Sequence, residues 1–94
     1  MVPQPPQQAD AQREQALIAQ YIDADPWGAG RDEARVRQYG TPVWALVAYL
    51  DVAQGDLERV AQDYGLPRET VEAAMGYYRQ HKALIDARLL QNEA

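Results

Sequence analysis

Three successive runs of helical apolar spacing, separated by glycine turns, restrict the fold of this chain more than any other feature of its sequence. In the first run, Val43, Leu46, Val47 and Leu50 recur at intervals of three and four residues, which marks one face of an α-helix. The two later runs repeat this spacing. Each helix has only one apolar stripe and must bury it against the others. The sequence therefore predicts a three-helix core.

Capping residues predict where these helices begin and end. Thr41 is placed as an N-cap before a proline at the first helical position, and Asp56 is placed as the N-cap of the second helix. Gly65 follows that helix at the position where a left-handed residue closes a helix end. The predicted helices span 42–53, 57–64 and 67–80.

The second and third helices have the proportions of a helix-turn-helix, because a short helix, a tight turn containing glycine and a longer helix follow one another. The predicted fold class is all-α, with a three-helix, homeodomain-like helix-turn-helix core over 41–82. An unrelated small helical bundle with the same stripes is the alternative.

The flanking segments are assigned by composition and pattern. Residues 1–12 are rich in proline and glutamine and predict a disordered leader, and 13–22 predicts an extra N-terminal helix. Within the glycine-rich stretch 23–40, Arg35 to Tyr39 is either a short strand or an irregular turn. Residues 83–94 form a C-terminal helical arm that either folds back on the core or becomes ordered on a partner.

Composition excludes several classes of function. A chain of 94 residues makes one small domain, and it contains neither cysteine nor serine, so disulfides, thiolate metal sites and the commonest nucleophiles are excluded. Its single histidine, His81, lies near a predicted helix end, where a cation suits the helix dipole. We therefore expect no enzyme activity, metal or cofactor. No apolar run is long enough for a membrane helix and no signal sequence is visible, which predicts a cytoplasmic location.

Nucleic-acid binding has candidate residues but an unfavourable overall charge. In a helix-turn-helix the N-terminal part of the third helix contacts base edges, which makes Arg68 and Thr70 candidates. Arg35 and Arg37, close to Arg31, form a possible phosphate-contacting strip whose alternative is a solvated loop. The net charge of −5 opposes binding to phosphates, so any DNA binding should be weak and strongly dependent on salt.

Candidate protein-binding residues are apolar or aromatic. Trp27, in a glycine-rich loop, is either a lid on the core or a partner contact, whereas Trp44 is expected to pack on the loop region. Tyr78 shares the apolar face of the third helix, and Tyr77 points elsewhere and suits an interface. In the C-terminal arm the candidate anchors are Leu84, Ile85 and Leu89.

A family resemblance covers about Tyr39 to Leu89. Its pieces are GTPVW at 40–44, VAQDYGLPRETVEAA at 60–74, the tyrosine pair at 77–78 and IDAR at 85–88. In this order and spacing they resemble a widespread bacterial family of uncharacterised small helix-turn-helix domains that includes VapB-like antitoxins.

The resemblance implies an antitoxin of a type II toxin–antitoxin pair. Such a protein is expected to form a homodimer, to bind operator DNA through the helix-turn-helix, and to neutralise a PIN-like ribonuclease toxin with its C-terminal arm. Arg88 is the residue expected to reach the acidic metal-binding pocket of that toxin. The alternatives are a stand-alone DNA-binding regulator and an interaction module that binds no DNA.

Overall fold

The computed structural model describes residues 6–28 and 30–93. Within these ranges the protein is mostly helical, with little strand. Its regular elements are α1 (Pro6–Tyr21), β1 (Ile22–Asp23), β2 (Arg35–Val36), α2 (Val43–Val52), α3 (Leu57–Tyr64), α4 (Arg68–Gln80) and α5 (Lys82–Glu93), with short helical turns at Pro26–Gly28 and Arg31–Glu33.

Helix α4 lies at the centre, because α1, α2, α3 and α5 all pack against it. The core contains one or more fully buried side chains from each of the later helices, such as Leu46 of α2, Val60 of α3, Val71 of α4 and Ile85 of α5. Burial of this apolar surface is the main source of stability. The all-α prediction is confirmed at this level.

The junction between α3 and α4 follows the sequence prediction closely. The Asp56 carboxylate accepts a hydrogen bond from the Arg59 backbone N–H at 3.3 Å, and α3 spans the predicted residues. Gly65 has a φ of +66° and donates its N–H to the last turn of α3. A residue with a Cβ is strained in this conformation, which is why glycine ends the helix here.

Two other helix starts differ from prediction. Pro42, not Thr41, precedes the first turn of α2, and no side chain in the described ranges caps this helix. The Val43 N–H instead donates to the backbone oxygen of Ala34 at 2.9 Å, so a loop contact replaces the cap.

Helix α1 begins at Pro6, so residues 6–12 are helical and differ from the disordered leader that the sequence predicts. Alanine and glutamine favour helix, and proline is tolerated in the first turn. The rest of that predicted leader, residues 1–5, lies outside the described residues.

A short antiparallel strand pair connects the N-terminal half to the core. Ile22 of β1 lies opposite Val36 of β2, and both side chains are buried. This pair resolves the alternative left open for 35–39 in favour of a strand at Arg35–Val36, followed by a turn. The strands are two residues each, too short for periodicity to detect.

Candidate interaction surfaces

The outward face of α4, predicted to read DNA, is covered by α1. The Tyr21 hydroxyl donates to Glu69 at 2.9 Å, near the start of α4, and Arg79 donates to Glu14 at 2.9 Å, near its end. These contacts show that α1 runs antiparallel to α4 and follows most of the length of α4. Gly76 lies directly against the Glu14 side chain, since a Cβ there would be 2.7 Å from Glu14 Oε1. This face is therefore occupied within the chain.

The two α4 residues predicted to contact DNA occupy different environments. Arg68 is half-exposed, but its guanidinium donates to Glu58 at 2.9 Å and to Glu72 at 3.2 Å. The hydrogen bond to Glu58, and to a smaller extent the one to Glu72, raises the pKa of Arg68. The positive charge of Arg68 is therefore already compensated by two carboxylates. Thr70 is 0% exposed. The prediction that Thr70 contacts a base or phosphate is wrong for this fold, because its side chain belongs to the core.

Arg35 and Arg37 lie beside an exposed tryptophan. Together with Trp27 and Gln38 they line an open groove with a volume near 360 Å³. Arg35 donates to the Gly40 carbonyl oxygen at 2.8 Å, and its guanidinium lies 5.2 Å from the centre of the Trp27 ring. Arg37 is exposed. We call this surface the Trp27 groove.

Trp27 is held in an unusual position. Its side chain is 82% exposed, although the adjacent Pro26 is buried, and its backbone φ of +59° lies in the left-handed region. A bulky residue rarely adopts that conformation, and such strain persists only where surrounding structure enforces it. Of the two alternatives from the sequence, the core lid is excluded by this exposure. A partner contact remains.

Tyr77 is not available to a partner. The ring is 2% exposed, and its hydroxyl donates to the Arg31 carbonyl oxygen at 2.7 Å. Burial raises the pKa of this phenol. The prediction that Tyr77 faces a partner is therefore wrong, whereas Tyr78 packs against the core as its place on the apolar face predicts. Tyr78 is the half-buried one, with its hydroxyl donating to Asp86 at 2.7 Å.

The C-terminal segment folds back on the core as α5, which turns most of its predicted anchors inward. Ile85 is fully buried and Leu89 packs against the core. Arg88 forms an ion pair with Glu33 at 2.6 Å and its guanidinium lies 5.4 Å from the Trp44 ring centre. The predictions that Ile85 and Arg88 meet a partner are corrected accordingly, because both are engaged within the chain.

One face of α5 is apolar and points away from the core. Leu84 is 48% exposed and Leu90 is 67% exposed, and the exposed alanines 83 and 87 lie between them. We call Ala83, Leu84, Ala87 and Leu90 the outer strip. Leu84 was a predicted contact, but Leu90 was missed. Its signal was the spacing of three residues from Ala87, which makes the two side chains neighbours on the helix surface.

Comparisons with protein-family models, curated proteins and solved structures found no match to this chain. Within the described ranges, no helix has the length and apolar character needed to cross a membrane, and no cluster of three or more potential metal ligands occurs. The arrangement presents two surfaces suited to macromolecular contact, the Trp27 groove and the outer strip.

Proposed function

We propose that this protein is an antitoxin that binds and neutralises a PIN-like ribonuclease through the Trp27 groove. The observation that carries the proposal is the exposure of Trp27 beside two arginines, in a turn whose backbone is held in the left-handed region. The identity of the partner rests on the family resemblance of residues 39–89.

The composition of the groove is that of a protein-binding hot spot. Tryptophan and arginine are the residue types most enriched among interface side chains with large energetic contributions. Arg35 covers one side of the Trp27 ring, which leaves the rest of the ring available to a partner. Burying such a ring at an interface typically contributes about 2–4 kcal/mol, or roughly 30- to 1,000-fold in affinity.

Charge complementarity supports this partner. The resemblance implies a ribonuclease with an acidic metal-binding pocket, to which an arginine is attracted. Arg88 was the expected residue, but its guanidinium is paired with Glu33 at 2.6 Å. Arg37 is exposed on the rim of the Trp27 groove. We therefore assign the toxin-facing role to Arg37.

We further propose that α2, α3 and α4 form a homeodomain-like helix-turn-helix that serves as a scaffold. The left-handed Gly65 between α3 and α4 and the mutual packing of the three helices support this assignment. The α1 helix lies on the α4 face that a DNA-binding relative would place in the major groove. This favours a protein-binding role for the fold.

Co-expression with the product of the gene encoded beside this chain tests the proposal, which requires that product to be a PIN-like ribonuclease. Wild-type protein should co-purify with the ribonuclease and block its RNA cleavage. Trp27→Ala should weaken the complex by roughly 30-fold or more, because the anchor ring is lost. Arg37→Ala should weaken it less, through loss of one charge pair.

Matched controls lie on other surfaces. Val52 is 61% exposed and Arg59 about half-exposed, and neither lines the Trp27 groove, so Val52→Ala and Arg59→Ala should leave inhibition unchanged. Full inhibition by Trp27→Ala would contradict the proposed surface. Failure of the wild-type chain to inhibit the neighbouring ribonuclease would contradict the function itself.

Operator DNA is the second candidate ligand, favoured by the exposure of Arg31 and Arg37. If these residues contact phosphates, Arg37→Ala should reduce the slope of log affinity against log salt by about 0.9 in a mobility-shift titration. Arg68→Ala should leave that slope unchanged, since Arg68 is already paired with two carboxylates. An effect of Arg68→Ala alone would instead implicate α4.

A further inference from the structure

A second groove lies between α2 and α5, and none of the residues that line it also lines the Trp27 groove. Its volume is about 510 Å³, within the range of roughly 300–1,000 Å³ that is typical of binding clefts. Its apolar lining consists of side chains that pack against the core and remain half-exposed, namely Val47, Leu50, Tyr78 and Leu89. We call this surface the α2–α5 groove.

Two small residues keep the α2–α5 groove open. Ala48 of α2 lines the groove and is exposed. Gly55, in the turn after α2, has a φ of +82°, and a Cβ at this position would meet nothing within 4 Å. Because neither residue has a side chain long enough to cover the apolar lining, that lining is accessible to side chains of another molecule.

The charge at the groove is negative. Among the described residues that line it, Asp51 is the only charged one, and it is exposed. It takes part in none of the ion pairs within the described ranges. Asp51 lies in the last turn of α2, which contains no basic residue and where the helix dipole is also negative. The groove therefore favours a positively charged group beside apolar side chains.

The walls of the groove favour a helix as its occupant. Helices α2 and α5 bond their own backbone groups internally, so they offer no strand edge to an extended chain. A helical segment needs no such edge, because its backbone groups are satisfied within the segment. Binding of a helix in a groove uses one apolar face with anchors at intervals of three and four residues.

We propose that the α2–α5 groove binds a basic amphipathic helix of a partner protein. The aliphatic side chains of that helix rest on Val47, Leu50 and Leu89, and its lysine or arginine lies beside Asp51. Apolar burial supplies most of the affinity, and the carboxylate determines where the cation lies. This inference does not depend on the proposed function, because the ribonuclease is assigned to the Trp27 groove.

Binding of a defined peptide tests the chemistry of the occupant. The probe is a fluorescent peptide of about 18 residues, with leucines on one helical face and lysines along the edges of that face. Fluorescence anisotropy should show that it binds about tenfold tighter or more than a peptide of the same composition whose leucines are distributed around the helix. Replacing its lysines by glutamates should also weaken binding. Equal affinity for the two lysine peptides would overturn the proposal, because attraction to the net charge of −5 would then explain the binding.

Two substitutions in the groove test the location of the peptide. Ala48→Lys places a long cationic side chain beside the apolar lining and should weaken binding about tenfold or more, whereas Ala19→Lys, at an exposed alanine of α1, makes the same change of charge and should have less than about a twofold effect. Asp51→Asn should weaken binding by about threefold and reduce its dependence on salt, and Asp10→Asn, on α1, should not. All four sites are exposed, so helical circular dichroism should stay unchanged. Equal effects of the two lysine variants would overturn the proposal.

Amide chemical shifts separate this groove from the other surfaces. Addition of the leucine–lysine peptide should shift the amide signal of Gly55, which lines the α2–α5 groove, and leave that of Gly40, which lines the Trp27 groove. A shift of Gly40 without one of Gly55 would overturn the proposal and assign the peptide to the Trp27 groove. A shift of Gly55 with protein concentration alone would also overturn it, because a second copy of the chain would then occupy the groove.

Discussion

Helices α1 and α5 both flank the central helix α4, but only α1 has an outward face suited to water. The exposed positions of α1 are mostly alanine, glutamine and charged residues, such as Gln12, Gln15 and Gln20. The exposed face of α5 instead contains Leu84 and Leu90. A polar outer face needs no further partner, whereas an apolar one favours association. The difference is that α1 presents a polar face to solvent, whereas α5 leaves two leucines exposed.

The two helices also differ in how they are held. Helix α1 is held by apolar packing of Leu17 and Ile18 against the core and by several side-chain hydrogen bonds to α4. The attachment of α5 depends mainly on Ile85, which is fully buried, and on the pairing of Arg88 with Glu33. Substitutions that remove one of these contacts at a time test how each helix is held, and the largest loss of stability is expected for α5.

Replacing the buried anchor of α5 should have the largest effect on stability. Ile85→Ala should lower the free energy of unfolding by about 3 kcal/mol, because it removes a fully buried side chain and leaves a cavity. Leu90→Ala, on the outer face of the same helix, should change it by less than about 0.5 kcal/mol. Urea unfolding of the two variants measures the difference, and equal losses would contradict the assigned faces.

Separating α1 from α4 should have the next largest effect. Gly76→Leu should lower the free energy of unfolding by about 2 kcal/mol, since the new side chain overlaps Glu14. Gly76→Ala is the matched control, because its methyl group can be accommodated by movement of the flexible Glu14 side chain and because alanine favours helix by about 1 kcal/mol. Both can be measured by thermal unfolding. A larger loss for alanine than for leucine would exclude steric overlap as the cause.

Replacing the buried hydroxyl of α4 should stabilise the protein slightly. Thr70 is fully buried, and its Oγ1 has no hydrogen-bond partner among the residues that the structure describes. Thr70→Val keeps the shape and removes this polar atom, so the free energy of unfolding should rise by about 1 kcal/mol. Thr70→Ser, which retains the hydroxyl, is the control. A destabilised valine variant would show that the hydroxyl is hydrogen-bonded in solution.

The smallest effect concerns the first turn of α5 and depends on pH. Hydrogen bonds from Lys82 and, secondarily, from Tyr78 lower the Asp86 pKa below 3.8. Because the folded-state pKa is lower than the unfolded one, this stabilisation is present above pH 3.8 and is lost as the pH falls through the lowered value. Asp86→Asn should therefore lower Tm slightly at pH about 7, and this difference should shrink as the pH falls below 3.8. A Tm difference that persists in acid would assign the effect to another cause.

Local sequence signals predicted the ends of α3, because both ends are set by residues within one turn of the helix. Asp56 and Gly65 define α3 because a carboxylate cap and a left-handed glycine act within a single turn. The start of α2 was displaced because its first N–H is bonded to Ala34, which lies across a loop. Contacts between distant segments leave no local signal of this kind.

The candidate site was harder to predict for the same reason. Helical spacing assigned Tyr78 to the core and Tyr77 to the surface, as for a helix packed on one side only. In the structure α4 is surrounded by other helices, so a second face, including Tyr77 and Thr70, is buried as well. The exposure of Trp27 likewise depends on a backbone conformation that composition does not reveal, because its φ is positive at a residue other than glycine.

The Tyr77 hydroxyl has a consequence for the loop that carries Trp27. It donates to the Arg31 carbonyl oxygen at 2.7 Å and lies 3.4 Å from that of Ala24, so one atom of the central helix is close to both stems of the loop. A loop tethered at both stems samples fewer conformations before a partner arrives, which reduces the entropy lost on binding. Tyr77→Phe would release the stems while retaining the ring, and so would separate the pre-organisation of this loop from the packing of the core.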